Sequence, residues 1–387
     1  MAASSLIVLS TVLPSLLAAP QGQGIARPTA QEGSLLISAK RIHISPERVI
    51  EDSAILIRDG NVLYVGSEIP EEARASAEKI AFPDGTIIPG LVNPHSSLGH
   101  GPELSERIDT FTPELQASDA FDPFVDEVMA STTAGITTVG LAPSSLNAFA
   151  GQGAAIHTGA VGRILRDSTY LKMSLVDAAF DRNRFPTSRM GAADLIRTRF
   201  TEARSAMGPT DNRLKILVDV INGSRILALH AQKEPEIDAA LDLCAALALK
   251  PLLVGCEEGH KRIERIAELS SGVVLAPLNF GSHPTRLTLP AKLEQAGVPF
   301  SFMAERPADL RISAALAVRH GASQRAGLAA LTLTAAQHTE TDEQVGTLHE
   351  GKSADLCVYS GNPLDLTSRL IGVYVAGVRV VNTPEAK

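Results

Sequence analysis

The hydrophobic pattern of the chain changes character twice along its length. Over residues 34–66, short stretches alternate apolar and polar positions, and Asp59-Gly60 interrupts them. Alternation with a period of two predicts half-buried strands, and Asp-Gly between such stretches is typical of a tight hairpin. Residues 354–360 and 371–381 alternate in the same way. Both ends of the chain are therefore predicted to be rich in β-structure.

The middle of the chain follows a different pattern, in which short apolar runs alternate with amphipathic stretches. Apolar runs bounded by turn residues predict strands buried on both faces, and helical spacing of apolar residues predicts helices. The predicted strands are 87–92, 137–141, 171–175, 226–230, 252–256, 273–276 and 300–303. The predicted helices are 192–207, 234–249, 260–270, 287–296 and 310–320. Alternation over about 250 residues predicts an α/β fold built as a TIM-like (β/α)-barrel.

These patterns divide the chain into a barrel and a smaller domain. The barrel is predicted to span residues 87–340. Neither β-rich end could form a stable sheet alone, so residues 31–86 and 341–387 are predicted to pack into one composite β-sandwich.

The first 30 residues differ from the rest of the chain. The apolar run from Leu6 to Ala19 is too short and too interrupted for a membrane-spanning helix, and it resembles a secretory signal followed by a linker. The absence of Lys or Arg before the run leaves a disordered N-terminus as the alternative. With a signal peptide the protein would be exported, periplasmic or extracellular. Without one it would be cytoplasmic.

The amino-acid composition argues against some classes of binding partner. The chain of 387 residues carries a formal charge of −8, 4% aromatic residues and no Trp, which argues against binding to nucleic acid. We expect no integral membrane span. Three cysteines, Cys244, Cys256 and Cys357, lie in apolar surroundings without the spacing of a zinc–thiolate cluster, so they are interpreted as small buried hydrophobes.

Several motifs resemble those of the amidohydrolase superfamily. Residues 86–101 read Thr-Ile-Ile-Pro-Gly-Leu-Val-Asn-Pro-His-Ser-Ser-Leu-Gly-His-Gly, which is similar to the family's first-strand signature Pro-Gly-Leu-Ile-Asp-x-His-x-His. Residues 345–356 resemble its tail motif Gly-Ser-Leu-x-x-Gly-Lys-x-Ala-Asp-Leu, and 134–139 its second-strand entry. Gly151-Gln152-Gly153-Ala154 resembles a loop of an imidazolonepropionase-like branch. The resemblance extends over about residues 34–382.

This resemblance implies metal-assisted hydrolysis of carbon–nitrogen bonds. In the family, two histidines on the first strand, a carboxylated Lys or a Glu on the fourth, histidines on the fifth and sixth, and an Asp on the eighth form the site. His95 matches the first histidine, His230 the fifth-strand ligand, and Glu305 the position of the catalytic carboxylate. For His95 the structural alternative is a rim histidine that is hydrogen-bonded to the backbone.

Other positions depart from the family pattern. Ser97 replaces the second histidine, Gly255 stands in place of the sixth-strand histidine, and Asn93 replaces an Asp. No Lys or Glu follows a clear fourth-strand pattern, and Asp219 is the nearest acid. His95, His230 and Glu305 could form a two-histidine, one-carboxylate site for one divalent metal such as zinc, with binding expected to be weak or absent.

Three further features have alternative interpretations. His100 or Glu257 could replace a lost metal ligand. The simpler interpretation is that His100 is a loop histidine and that Glu257 is an acid stabilised at the start of a helix. The amides of Gly151, Gln152 and Gly153 could bind a substrate carbonyl or carboxylate, or they could form a tight turn. Arg306 could pair with Glu305.

The resemblance therefore predicts a hydrolase that acts on non-peptide or dipeptide amides, with a small-molecule substrate. The alternative is a non-catalytic pseudoenzyme that serves as a binding protein or as the partner subunit of an active homologue. The resemblance also makes a homo- or hetero-oligomer possible, since superfamily members often form oligomers.

Overall fold

The structure is a computed structural model that describes residues 33–206 and 211–382. The segment predicted as signal peptide and linker, residues 1–30, lies outside the described residues. The strands are β1 (Ser34–His43), β2 (Val49–Arg58), β3 (Asn61–Gly66), β4 (Ala77–Pro89), β5 (Leu91–Ser96), β6 (Ile136–Leu141), β7 (Phe149–Gln152), β8 (Ala154–His157), β9 (Arg163–Arg166), β10 (Leu171–Ser174), β11 (Leu227–Ala231), β12 (Leu252–Gly255), β13 (Gly272–Leu275), β14 (Phe300–Phe302), β15 (Leu356–Tyr359), β16 (Leu370–Val375) and β17 (Val378–Asn382). The helices are α1 (Glu71–Ser76), α2 (Asp126–Thr133), α3 (Arg189–Ser205), α4 (Asn212–Ile221), α5 (Glu234–Ala246), α6 (Ile263–Leu269), α7 (Pro284–Gln295), α8 (Ala308–Arg319), α9 (Gln324–Leu331) and α10 (Leu333–His338). The predicted mixed α/β class is confirmed.

Strands from both ends of the chain share one seven-stranded sheet, in the order β17-β16-β15-β4-β1-β2-β3. The Asp59-Gly60 turn joins β2 to β3 as an antiparallel hairpin, with both turn residues at positive φ. The central pairing of β4 with β1 on one side and β15 on the other brings the two chain ends together.

The run at 87–92 belongs to two strands rather than one. β4 continues to Pro89 in the seven-stranded sheet, and β5 begins at Leu91 in a different sheet. Gly90 makes this change possible, because a Cβ at that position would lie 2.1 Å from the Thr137 hydroxyl oxygen. Only glycine lets the backbone pass this close to β6.

The remaining strands form a six-stranded sheet, β14-β13-β12-β11-β10-β7, and a four-stranded sheet, β5-β6-β8-β9. Strands β10 to β14 are parallel to one another, and β5 is parallel to β6. Every residue of β10 to β14 is buried, as expected for parallel strands that are covered on both faces. Within the described ranges, backbone pairing does not join β14 to β5.

An extended segment from Phe149 to His157 links these two sheets. Its first half, β7, pairs antiparallel with β10, and its second half, β8, pairs antiparallel with β6. Gly153 separates the halves, and a Cβ there would meet the Tyr170 ring at 2.7 Å. The Gly-Gln-Gly motif is therefore part of a strand bridge between the sheets.

Each predicted helix of the middle region overlaps an observed helix. In the part of this region that the structure describes, four further helices were not predicted, namely α2, α4, α9 and α10. The stretch Leu217–Val220, which contains the acid nearest to the fourth-strand pattern, lies inside helix α4. Asp211 begins this helix by accepting a hydrogen bond from Arg213 N. Asp219 is thus a helical residue that lies 4.0 Å from Arg225, and the fourth-strand interpretation of Asp219 is corrected.

None of the helices in the described ranges has the length and apolar character that crossing a membrane requires.

A buried polar contact fastens the seven-stranded sheet to the four-stranded one. His157 Nε2, at the end of β8, lies 2.8 and 2.7 Å from the two carboxylate oxygens of Asp355, directly before β15. The same carboxylate accepts hydrogen bonds from Ser353 Oγ (2.9 Å) and Ala376 N (2.8 Å). Burial acts to raise the pKa of Asp355, but His157 and the two other donors outweigh it and hold the pKa below its usual value.

Replacing Asp355 by Ala should lower the free energy of unfolding by about 3 kcal/mol, because the buried His157 and two partly buried donors lose their acceptor together. Chemical denaturation at neutral pH measures this loss. Since the folded pKa of Asp355 lies below its unfolded value, its contribution is complete above that unfolded value and is lost as pH falls through the folded pKa. The exposed Glu350→Gln variant is the control, and an equal loss in both variants would contradict the assignment.

Candidate functional site

A pocket of about 500 Å³ opens where several parallel strands end. The carboxyl ends of β5, β6, β11, β13 and β14 and the segments that follow them supply its walls. The lining residues are His95, Ser97, Gly101, Leu104, Ala142, Pro143, Ser144, Ser145, His230, Pro277, Met303, Glu305, Arg306 and Asp309. The structure thus brings together His95, His230 and Glu305, the three residues that the sequence indicated for metal binding and catalysis.

The side chain of Asn93 in β5 fixes the segment that follows β14. Asn93 Nδ2 donates to Ala304 O at 2.6 Å, and Ala304 N donates to Asn93 Oδ1 at 3.2 Å. The next residue, Glu305, then faces the end of β5, where its carboxylate accepts from Ser96 Oγ at 3.2 Å and from Ser97 Oγ at 2.7 Å. Ser97 N also donates to the Glu305 carboxylate, at 3.1 and 3.2 Å. Glu305 is therefore held at the pocket edge by three donors.

Lys172, in β10, is a site residue that the sequence analysis did not identify. Its side chain is fully buried beneath the pocket, and its Nζ is hydrogen-bonded to His95 Nε2 and lies 3.4 Å from Pro143 O. In the order of parallel strands, β10 directly precedes β11, which carries His230. Lys172 therefore stands on the strand where the family resemblance implies a carboxylated Lys or a Glu.

His230, in β11, is held by two neighbouring side chains. Its Nδ1 lies 2.5 Å from Ser145 Oγ, and its Nε2 lies 3.1 Å from Gln232 Nε2. The start of helix α5 fixes this loop, because the buried Glu236 carboxylate accepts from Gln232 N at 2.8 Å and from Lys233 N at 3.0 Å. This capping arrangement determines where Gln232 meets the imidazole.

The electrostatics of the site reflect burial and the proximity of Lys172. Burial lowers the pKa of Lys172 to about 7, against an opposing effect of the Glu305 carboxylate. Burial, and then Lys172, lower the pKa of His230 to about 3. The same two causes, with a smaller contribution from His230, hold the pKa of His95 well below its usual value. Both imidazoles are therefore neutral at pH 7.

The donor set does not fit a tightly held divalent metal. A zinc ion needs a free nitrogen lone pair from each histidine and at least three protein ligands. His95 Nε2 is engaged by Lys172, both nitrogens of His230 have partners, and the Glu305 carboxylate is bound to Ser96 and Ser97. Between residues 33 and 206 and between 211 and 382, no group of three or more His, Cys, Asp or Glu side chains is arranged to bind a metal.

The other predicted candidates lie away from the pocket. Gln152 Oε1 accepts from Ser168 Oγ at 2.6 Å, and its amide nitrogen donates to Glu114 O at 3.2 Å. Gly151 and Gly153 pack against Leu115 and Tyr170. Gly151, Gln152 and Gly153 are therefore absent from the pocket lining and serve the strand bridge.

The alternative ligands are also engaged elsewhere. The buried His100 lies 2.8 Å from Leu98 O through Nδ1, and its Nε2 accepts from Asp122 N at 2.8 Å. Glu257 faces Arg286 at 3.6 Å. The pairing of Arg306 with Glu305 that the sequence suggested is not observed, because Arg306 donates to Asp309 at 2.9 and 3.1 Å.

Several solved protein structures are similar to this chain along most of its length. An amidohydrolase from Thermotoga maritima MSB8 is 26% identical, with a TM-score of 0.78, over 90% of this chain and 100% of that one. A zinc-bound adenosine deaminase from Xanthomonas campestris is 17% identical with a TM-score of 0.52, over 91% and 93%. A β-aspartyl dipeptidase from Fervidobacterium islandicum AW-1, in complex with a β-Asp-Leu dipeptide, is 12% identical with a TM-score of 0.54, over 92% and 98%. No protein-family model and no curated protein sequence matches the chain.

The Asn93 contact can be tested by replacing this residue with Asp, the residue that the family pattern has there. A carboxylate cannot donate to Ala304 O and would repel it, so Asn93→Asp should lower the free energy of unfolding by about 2 kcal/mol. Chemical denaturation at neutral pH measures the change. The exposed Asn61→Asp variant serves as the control. Unchanged stability of Asn93→Asp would show that this hydrogen bond does not hold the two segments together.

Proposed function

The chain belongs to the amidohydrolase superfamily, and on this premise we propose that its pocket hydrolyses the carbon–nitrogen bond of a small amide. The substrate class is a non-peptide amide or a dipeptide. The observation that carries this proposal is the convergence of His95, His230 and Glu305 on one pocket at the carboxyl ends of parallel strands. Catalytic residues of barrel enzymes lie at this end of the strands.

Glu305 is the residue proposed to act on water. Its carboxylate is oriented by Ser97 N and Ser97 Oγ, so a water molecule in the pocket would meet a fixed hydrogen-bond acceptor. A carboxylate held in this way can accept a proton from water as the oxygen bonds to the carbonyl carbon, and can then give that proton to the amine nitrogen as the carbon–nitrogen bond breaks. The hydroxyl groups of Ser144 and Ser145 line the same pocket, where they can donate a hydrogen bond to the substrate carbonyl oxygen.

A second candidate function is binding without catalysis. The observation in its favour is the state of the donor set, because His95, His230 and Glu305 are all engaged by protein groups. A pocket that keeps its shape without a catalytic metal can still bind a small molecule. It can also persist in a protein that acts as the partner subunit of an active homologue.

We also propose how the three sheets form a barrel and a second domain. We take the six- and four-stranded sheets to be two arcs of one TIM-like barrel, spanning about residues 87–340. Asn93 bridges β5 to the end of β14, and the β7–β8 segment bridges the other gap. The seven-stranded sheet, with strands from 31–86 and 341–387, would belong to the composite domain. Export by an N-terminal signal and assembly into an oligomer remain proposals from the sequence alone.

Replacing Glu305 by Gln separates the two candidate functions. If the pocket is catalytic, Glu305→Gln should lower kcat by about a hundredfold or more, because the amide side chain cannot accept the water's proton. The assay follows ammonia or amine release from a panel of cyclic amides, imides and dipeptides. The Glu257→Gln variant is the matched control, since Glu257 lies near a strand end but outside the pocket lining.

The outcomes differ clearly between the two functions. Loss of turnover in Glu305→Gln with normal turnover in Glu257→Gln supports the hydrolase. Ligand binding by the wild-type protein without any turnover, unaffected by Glu305→Gln, supports the non-catalytic pocket and contradicts the hydrolase.

A further inference from the structure

We propose that the side-chain nitrogen of Lys172 occupies the cation position of the pocket, so that the protein keeps this site closed to divalent metal ions. This inference goes beyond the proposed function, because it holds for a catalytic pocket and for a binding pocket alike. The inference can be tested by measuring metal binding, without an assay of enzymatic activity.

The first argument is the position of the amine. Lys172 Nζ is hydrogen-bonded to His95 Nε2, which means that it lies in the direction of the lone pair that a metal would use. A zinc–nitrogen bond is about 2.0–2.1 Å long and requires the same lone pair. The amine and an ion therefore cannot both bind His95 Nε2. Both the neutral and the protonated form of Lys172 can donate this hydrogen bond, so the argument does not depend on its protonation state.

The second argument is that Lys172 lies beside the strand that carries the other histidine. β10 pairs in parallel with β11, and in this register Ser174 is opposite His230. The side chain of Lys172 is fully buried, and its Nζ contacts two residues of the pocket lining, His95 and Pro143. The amine therefore reaches the candidate ligands from the strand where the family resemblance implies a charged ligand.

The third argument is that the two departures from the ligand pattern suit a site without an ion. Ser97, which replaces a histidine, holds the Glu305 carboxylate through its hydroxyl and its backbone N–H. At Gly255, the other lost ligand position, a Cβ would lie 2.9 Å from His230 Nε2 and 3.0 Å from Gln232 Cγ. Gly255 also has φ +92°, where a side chain is strained. A ligand side chain at Gly255 would therefore collide with His230 as it now stands.

The test compares metal uptake by the wild-type protein and the Lys172→Met variant. Both full-length proteins are stripped with a chelator, dialysed against Zn²⁺ or Co²⁺ with and without bicarbonate, and analysed for bound metal and intact mass. Methionine keeps much of the side-chain volume but cannot donate to His95 Nε2, which leaves the lone pair free. We expect no tightly bound metal in the wild-type protein and an affinity about tenfold or more higher in Lys172→Met.

The controls keep the outcome unambiguous. Lys261→Met removes a surface lysine and should behave as the wild type. Circular dichroism checks that each variant is folded. Lys172→Leu, which also cannot donate to His95 Nε2, replaces the methionine variant if that protein does not fold. Equal metal uptake by the wild type and the folded Lys172 variant would overturn the proposal. Bicarbonate-dependent addition of a carboxyl group to Lys172 with stoichiometric metal in the wild type would also overturn it.

These results are independent of the hydrolysis assay. A metal-free wild-type protein with turnover supports both proposals, whereas a metal-free protein without turnover overturns the hydrolase and leaves the inference about Lys172 supported.

Discussion

The hydrogen bonds between the Asn93 amide and the backbone of Ala304 are the constraint on which the geometry of the pocket depends. They need one donor and one acceptor on the same side chain, and an amide supplies both. Because they tie β5 to the segment after β14, they also determine where two further residues lie. His95 follows Asn93 on one side of the contact, and Glu305 follows Ala304 on the other. Backbone pairing does not join β5 to β14, and these two hydrogen bonds connect β5 to the segment after β14 instead.

A buried lysine would normally be unfavourable, and the surrounding residues reduce its cost in two ways. The low pKa values of His95 and His230 keep both rings neutral at pH 7, so no additional positive charge opposes the amine. Glu305 provides a negative charge close enough to raise the pKa of Lys172. Burial still dominates and brings that pKa to about 7, which leaves the amine balanced between its two forms at neutral pH. Lys172 can thus donate a hydrogen bond to His95 Nε2 in either form.

The sequence predicted the features that follow from local pattern and from strand order. The Asp59-Gly60 hairpin has its own turn chemistry, and the apolar runs at 252–256 and 273–276 predicted parallel strands to within a residue or two. The meeting of His95, His230 and Glu305 followed from the same reasoning, since carboxyl ends of neighbouring parallel strands share one edge.

What the sequence did not reveal depended on contacts between distant segments. Lys172 lies in a predicted strand, but Leu-Lys-Met-Ser also fits a half-exposed strand with an outward lysine, and only burial on both faces places it inside. Asp219 was considered for the fourth strand because the apolar residues of α4 allow both periods in a short window. For Gly151 to Gly153, the motif gave no indication that the segment pairs with strands on both sides.

The two lost ligand positions are not equivalent, and this difference bears on how the pocket can change. At Ser97 a histidine could be accommodated only if Glu305 gave up its hydroxyl donor, because the Ser97 side chain now holds that carboxylate. At Gly255 any side chain would first require His230 and Gln232 to move. His230 is in turn held by Ser145, and Gln232 by the Glu236 cap of α5. Restoring one ligand would therefore disturb the residues that position the remaining ones. In the present arrangement His95 Nε2, both nitrogens of His230 and the Glu305 carboxylate each have a protein partner that a metal ion would have to displace.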